Sequence, residues 1–121
     1  NELTDFSLVP ERDGALVANR VEPGKRPRSS MSPTIVYDAE GRPILAVGSA
    51  GGPRIIMHVA KTLIGVLDWD LPVEEALALP NLYMAGEGNI LESNAEGIAM
   101  APQLARFGRT VLNAELGSKL N

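Results

Sequence analysis

The chain has 121 residues, 45% of them hydrophobic and 21% charged, with a net charge of −4. That is the size and composition of one ordinary soluble domain, long enough to bury roughly two-thirds of its unfolded surface. The mild acidity argues against nucleic acid as a partner. The absence of Cys excludes disulfides, thiolate metal sites and a Cys nucleophile, and a single His excludes a His-rich metal centre. Neither a cofactor nor a metal is therefore expected. The longest apolar run, Ile55 to Leu67, is broken by His58, Lys61 and Thr62, so no membrane span is expected. The chain opens at Asn1 without a Met, and reads as a cut piece or a processed product.

In chain order, Asn1 to Ser7 reads as a strand end or turn, and Val9 to Arg28 as a loop rich in charge, Gly and Pro. The basic residues of that loop, Arg20, Lys25, Arg26 and Arg28, lack interleaved aromatics and read as a solvated surface. Thr34 to Tyr37 is a β-branched and aromatic run, and Ile44 to Val47 is apolar throughout. With Asp38 to Pro43 as the turn, these predict a hairpin, its second strand buried on both faces.

Gly48-Ser49-Ala50-Gly51-Gly52 then leads into a helix over about 53–68, with Pro53 at its first position. The spacing predicts an inward face of Ile56, Val59, Ala60, Leu63 and Leu67, and an outward face of His58, Lys61, Thr62 and Gly65. A short helix follows over 72–79, capped by Asp70. Strands are expected over 81–84 and 89–92 around Gly86-Glu87-Gly88, a third helix over 98–107 ended by Gly108, and a last strand over 109–112. Antiparallel strands with helices on one side predict an α+β or layered αββα fold. The ends read as unfinished, with strands missing on both sides.

Four features bear on chemistry. Pro27-Arg28-Ser29-Ser30-Met31-Ser32-Pro33 offers adjacent hydroxyls on a stretch restricted by proline, suited to gripping a carboxylate or phosphate. On pattern alone, a turn whose serines bond their own backbone is preferred. The Gly48–Gly52 turn brings backbone donors to a helix start and could stabilise an oxyanion, but it matches neither the P-loop nor the dinucleotide fingerprint. By itself it reads first as a tight connection. Glu2 and Asp5 could bind an ammonium group, or simply decorate a solvated end. His58 could serve a Ser-His-Asp triad as base, but an ordinary surface or boundary histidine is preferred.

Taken together and in this order, the features resemble the γ-glutamyltransferases (γ-glutamyltranspeptidases, glutathione hydrolases). The run from Pro23 to Val36, centred on Ser29-Ser30-Met31-Ser32-Pro33-Thr34, resembles that family's signature. Gly48 to Ile56 resembles its glycine turn, and Asn1 to Ser7 its upstream binding segment. The resemblance is dense from Asn1 to about Leu82 and thinner beyond.

It implies a layered αββα N-terminal-nucleophile hydrolase fold, of which residues 1–121 form a single partial domain of the small catalytic subunit. It also implies a self-cleaving precursor, with a large subunit and further small-subunit strands as partners and a γ-glutamyl compound as substrate. Compartment is not readable from the chain; the resemblance favours a periplasmic or secreted one. By resemblance, Asp5 and Glu2 bind the substrate ammonium, Ser29 and Ser30 its α-carboxylate, and the amides of Gly51 and Gly52 form the oxyanion hole.

The family's nucleophile is an N-terminal Thr. Asn1 cannot replace it, because this catalysis needs a hydroxyl or thiol. The isolated chain is therefore expected to be inactive. The sequence departs from the family pattern at Thr4, Arg28, Ala50, Pro53 and Asn81. Two other readings stay open: an acylase of the same fold acting on another amide, and a non-enzymatic piece that only assembles with a partner chain.

Overall fold

The computed structural model describes residues 3–85, 88–116 and 119–120. The chain divides into two compact units, Asn1–Ser30 and Met31–Asn121.

The first unit is held by turns rather than by regular structure. Of the strand end or turn expected there, the turn is found: a single 3-10 turn, Leu3–Asp5. Two short strands, β1 (Glu11–Arg12) and β2 (Ala15–Leu16), pair antiparallel inside the predicted loop. Their two-residue connection needs left-handed backbone, which Asp13 (φ 53°) and Gly14 (φ 76°) supply. Further along, the Ser7 amide donates to the Asn19 carbonyl at 2.8 Å. Two members of the basic cluster share one acidic partner: Lys25 and Arg20 each meet Glu22 at 2.8 Å, which holds the Glu22 carboxyl below its ordinary range.

The second unit begins with the predicted hairpin, β3 (Thr34–Tyr37) against β4 (Pro43–Val47), antiparallel. Its turn is tied by Asp38, whose Oδ1 accepts from the amides of Glu40 and Arg42 at 3.0 and 2.8 Å. Within this chain β4 is not buried on both faces. Ile44 is 59% exposed, and only Val47 joins the core with Ile55 and Val59.

The helix after the glycine turn opens with a 3-10 turn, Gly52–Arg54, and continues as α1 (Ile55–Leu67). Its extent matches the prediction, but its buried face does not. Ile55, His58, Val59, Thr62 and Gly65 face inward, while Ile56 and Leu67 are 52% and 46% exposed. The polar members of that face have local partners: Thr62 donates its hydroxyl to the His58 carbonyl, and His58 meets Ser49. Gly65 is selected by contact, since a Cβ there would lie 2.9 Å from the Ala76 Cβ.

Ala76 belongs to α2 (Val73–Ala78). This helix has Pro72, not Asp70, at its cap position. Asp70 instead takes a left-handed conformation (φ 53°) in the connection. At its other end, Lys61 reaches across from α1 and donates to the carbonyls of Leu77 and Leu79 at 3.1 and 2.8 Å. These are end groups that no helical residue can satisfy.

A three-stranded sheet completes the unit. β6 (Leu82–Ala85) pairs antiparallel with β7 (Gly88–Glu92), and β7 pairs parallel with β8 (Val111–Ala114). The connection between the parallel strands is α3 (Ala95–Ala105), the usual crossover solution. Its start, three residues before the predicted one, is set by Asn94, whose Oδ1 accepts from the Gly97 amide at 2.8 Å. Finally β5 (Ser49–Ala50) pairs antiparallel with β9 (Lys119–Leu120). The architecture is α+β, as expected. Among the described residues, no helix is long and apolar enough to cross a membrane.

Candidate active site

The register of β3 and β4 decides what lies beside the glycine turn. Thr34 faces Val47, so the residues just before Thr34 and just after Val47 emerge at the same end of the hairpin. Met31, Ser32 and Pro33 accordingly line one concavity of about 140 Å³ with Gly48 and Ser49. The downstream half of the serine run thus sits against the upstream half of the glycine turn. A larger groove of about 610 Å³ runs between α3 and β8, but it shares no residue with either segment.

The turn itself takes backbone that only glycine adopts readily. Gly51 has φ 143° and Gly52 φ 58°, consecutive positive values. The turn is closed by the Arg54 amide donating to the Gly51 carbonyl at 3.3 Å. Arg54 also donates through its guanidinium to the Leu116 carbonyl at 2.6 Å and lies 5.8 Å from the Tyr83 ring centroid. The segment leading into the turn is paired with β9.

Beneath the turn lies His58, at 0% exposure. The surface position expected for it is therefore corrected. Its Nδ1 is 3.2 Å from Ser49 Oγ, and Ser49 Oγ donates to the Ala50 carbonyl at 2.7 Å. A Cβ on Gly51 would lie 3.2 Å from His58 Cε1 and 3.4 Å from Nδ1. Nε2 is buried and has no hydrogen-bond partner among the described residues. Burial, and then the nearby Lys61 charge, push the imidazole below its ordinary pKa, with Glu92 opposing.

In the first unit, one side chain that the sequence reading passed over organises the candidate ligands. Asn19 Nδ2 donates to the Asp5 carbonyl at 2.7 Å. Its Oδ1 accepts from the Arg28 amide at 3.2 Å. The residue carrying Asp5 and the chain immediately before Ser29 are therefore tied to the same amide group. Asp5 and Ser30 are half-buried and Ser29 is exposed. Glu2 lies outside the described residues. A lone Asn in an irregular loop carries no periodic signal, and nothing in the local pattern marks it. His58 was visible in the sequence, but its burial was not.

Comparison with known proteins places the chain in a family and a fold. The Gamma-glutamyltranspeptidase family model matches residues 1–120. The glutathione hydrolase proenzyme of Escherichia coli (strain K12) is 43% identical over 88 residues, which cover 69% of this chain and 15% of that protein. That of Pseudomonas sp. (strain A14) is 35% identical over 112 residues, 88% of this chain and 19% of that protein. A solved acivicin-inhibited gamma-glutamyltranspeptidase has TM-score 0.79 and 32% identity, covering all of this chain and 68% of that one. A cephalosporin acylase from Bacillus halodurans shares the fold at TM-score 0.71 and 24% identity, over 91% of this chain and 19% of that one.

The α+β frame with its glycine turn is thus a portion of an N-terminal-nucleophile hydrolase fold. Within that class the chain belongs to the gamma-glutamyltranspeptidase family. It spans only 13–19% of the length of the curated relatives it matches.

Proposed function

We propose that residues 1–121 form one partial domain of the small catalytic subunit of a γ-glutamyltransferase or glutathione hydrolase, contributing substrate pocket and oxyanion hole but not the nucleophile. In this reading Asp5, with Glu2, meets the α-ammonium of a γ-glutamyl substrate. Ser29 and Ser30 donate their hydroxyl hydrogens to its α-carboxylate. An N-terminal Thr, supplied by another segment of the precursor, attacks the γ-carbonyl with its α-amine as base. The negative charge that develops on the carbonyl oxygen is met by the amides of Gly51 and Gly52. Collapse expels the amine and leaves a γ-glutamyl ester, which water or an amino acid then resolves.

The observation that supports the reading is the hairpin register, which brings Met31, Ser32 and Pro33 beside Gly48 and Ser49 at one end of β3 and β4. The Asn19 tie between Asp5 and the chain before Ser29 supports the two-ended recognition of an amino-acid head group. An acylase acting on another amide has fold-level support only, and the acidic and hydroxyl pair argues against it.

The test is release of the amine from a γ-glutamyl anilide by the autoprocessed full-length protein. Loss of one oxyanion donor typically lowers rate by about 10²–10³. Gly52→Val should therefore lower kcat by roughly that factor with little change in KM. A wild-type protein that releases no amine overturns the function. A Gly52→Val effect confined to KM overturns the oxyanion role. The isolated 121-residue chain should show no turnover.

A further inference from the structure

The one histidine of the chain is fully buried directly under the glycine turn, and the catalytic reading above gives it no task. Its contacts converge on that turn. Nδ1 faces Ser49 Oγ at 3.2 Å, two residues before Gly51, and the ring edge approaches Gly51 so closely that a Cβ there would stand 3.2 Å away. Ser49 Oγ has a single proton and directs it to the Ala50 carbonyl at 2.7 Å. For Nδ1 and Oγ to hydrogen-bond as well, the proton between them must sit on Nδ1, with Oγ as acceptor. Nε2 is then the bare nitrogen, which agrees with a buried position that has no acceptor among the described residues.

We propose that His58 is a positioning residue for the oxyanion hole: a neutral, Nδ1-protonated imidazole that forms the floor of the turn and, through Ser49 and the Ala50 carbonyl, aims the amides of Gly51 and Gly52. The inference rests on the oxyanion role given to those glycines and adds the device that fixes them.

The geometry makes specific demands. Gly51 and Gly52 both sit at positive φ, where backbone freedom is large and two amides can splay apart. An oxyanion hole works only when its donors are already aimed, because reorganisation during the reaction spends the advantage. A rigid ring below, anchored by a part-buried hydrogen bond to the residue that enters the turn, restricts that freedom. Burial and the Lys61 charge, with opposition from Glu92 and from a hydrogen bond to the Ala50 backbone and a further push from Arg54, lower the imidazole pKa and so favour the neutral ring.

The experiment uses the full-length autoprocessed enzyme, a γ-glutamyl anilide, and the His58→Leu, His58→Asn and Ser49→Ala variants. Asn can place a side-chain N–H near the position of the Nδ1 donor; Leu fills volume without a donor. His58→Leu should lose roughly tenfold to a hundredfold in kcat with KM changed far less, in line with partial misalignment of an oxyanion donor. His58→Asn should recover most of that loss, and Ser49→Ala should fall between.

Two NMR measurements accompany the kinetics. Long-range ¹H–¹⁵N correlation on wild type should find His58 protonated at Nδ1 and bare at Nε2. The Gly51 and Gly52 amide resonances should shift in His58→Leu and return toward wild type in His58→Asn. An active wild type whose His58→Leu variant keeps its kcat overturns this proposal alone. So does an Nε2-protonated ring, which is readable even if the variants fail to mature. A wild type inert on the anilide overturns the functional reading instead, and the amide shifts then still decide whether His58 sets the turn.

Discussion

The side-chain amide of Asn19 donates to the backbone carbonyl of Asp5 across fourteen residues at 2.7 Å, and the same side chain accepts from the amide of Arg28. One neutral residue thereby sets the spacing between the acidic end of the proposed head-group site and the chain that enters its hydroxyl end. Neither bond carries charge, so the tie works without competing for the substrate's ionic groups.

Asn19→Ala in the full-length enzyme removes both bonds while leaving Asp5, Ser29 and Ser30 chemically intact. Each such bond contributes about 0.5–1.5 kcal/mol. Their combined loss, about 1–3 kcal/mol, should appear as a rise in KM for a γ-glutamyl anilide of roughly 5–150-fold, with kcat much less affected. Steady-state kinetics on the wild type and variant measure this directly. A fall in kcat at constant KM would move Asn19 from substrate placement to the reacting centre.

Asp5→Ala should weaken binding by about 2–5 kcal/mol, the typical effect of stranding one member of a buried charge pair. The loss should vanish when the substrate lacks its α-amine, for example a glutaryl anilide compared under the same conditions. An equal loss on both substrates would make Asp5 a structural residue.

The Ser29→Ala/Ser30→Ala double variant should behave in the complementary way. Activity on substrates bearing an α-carboxylate should fall, while the fold, followed by circular dichroism, is retained. The penalty should shrink on a substrate in which that carboxylate is amidated, because there is no longer an anion for two hydroxyls to hold.

Gly65→Val should destabilise the protein by about 1–3 kcal/mol, the usual penalty of forcing extra atoms into a closed contact. The reason is the approach of α2: even a bare Cβ at Gly65 would stand 2.9 Å from the Ala76 Cβ and 3.4 Å from its Cα. Urea unfolding, compared with an exposed control such as Ile56→Val, gives the number.

The buried His58 also makes stability depend on pH in one direction. Its folded-state pKa lies below the ordinary value of about 6.5. Above that value the ring is neutral in both folded and unfolded chains and adds no pH dependence. As pH falls below it, the unfolded chain binds a proton that the folded one resists. Stability should therefore decline with acidification from about pH 6.5 until the folded ring also protonates. His58→Gln should flatten that part of the wild-type curve, measured by denaturant midpoints over a pH series.

What the sequence made legible follows from how local each signal is. Thr34–Tyr37 and Ile44–Val47 were readable because β-branched and apolar runs flank the Asp38–Pro43 turn; the observed second strand starts one residue earlier, at Pro43. The length of α1 was readable from Pro53 and its apolar spacing. Its facing was not: hydrophobic periodicity points to Ile56 and Leu67, but the inward stripe includes His58 and Thr62, of which the His58 Nδ1 and the Thr62 hydroxyl have partners in the fold. Gly65 reads as a weak helix position until Ala76 is known to touch it. The parallel pairing of β7 with β8 depends on a contact across α3, which no short window contains. In the proposed site, the serine run, the glycine turn and Asp5 were legible through their resemblance, whereas Asn19 acts through two backbone groups far away in sequence and leaves no pattern.

The Arg54 guanidinium reaches the Leu116 carbonyl across sixty-two residues, and β5, on the other side of the turn, pairs with β9. The shape of the glycine turn thus depends on some of the highest-contact-order interactions in the unit. Such contacts incur their loop-closure entropy before any reward arrives, so they form slowly and late. The hairpin and α1 can assemble from neighbouring residues alone, while the anchors that flank the turn must wait for the end of this chain to dock. Loop-closure entropy thus predicts that the anchors of the proposed oxyanion hole form after the hairpin and α1, a delay between acquiring a fold and acquiring chemistry.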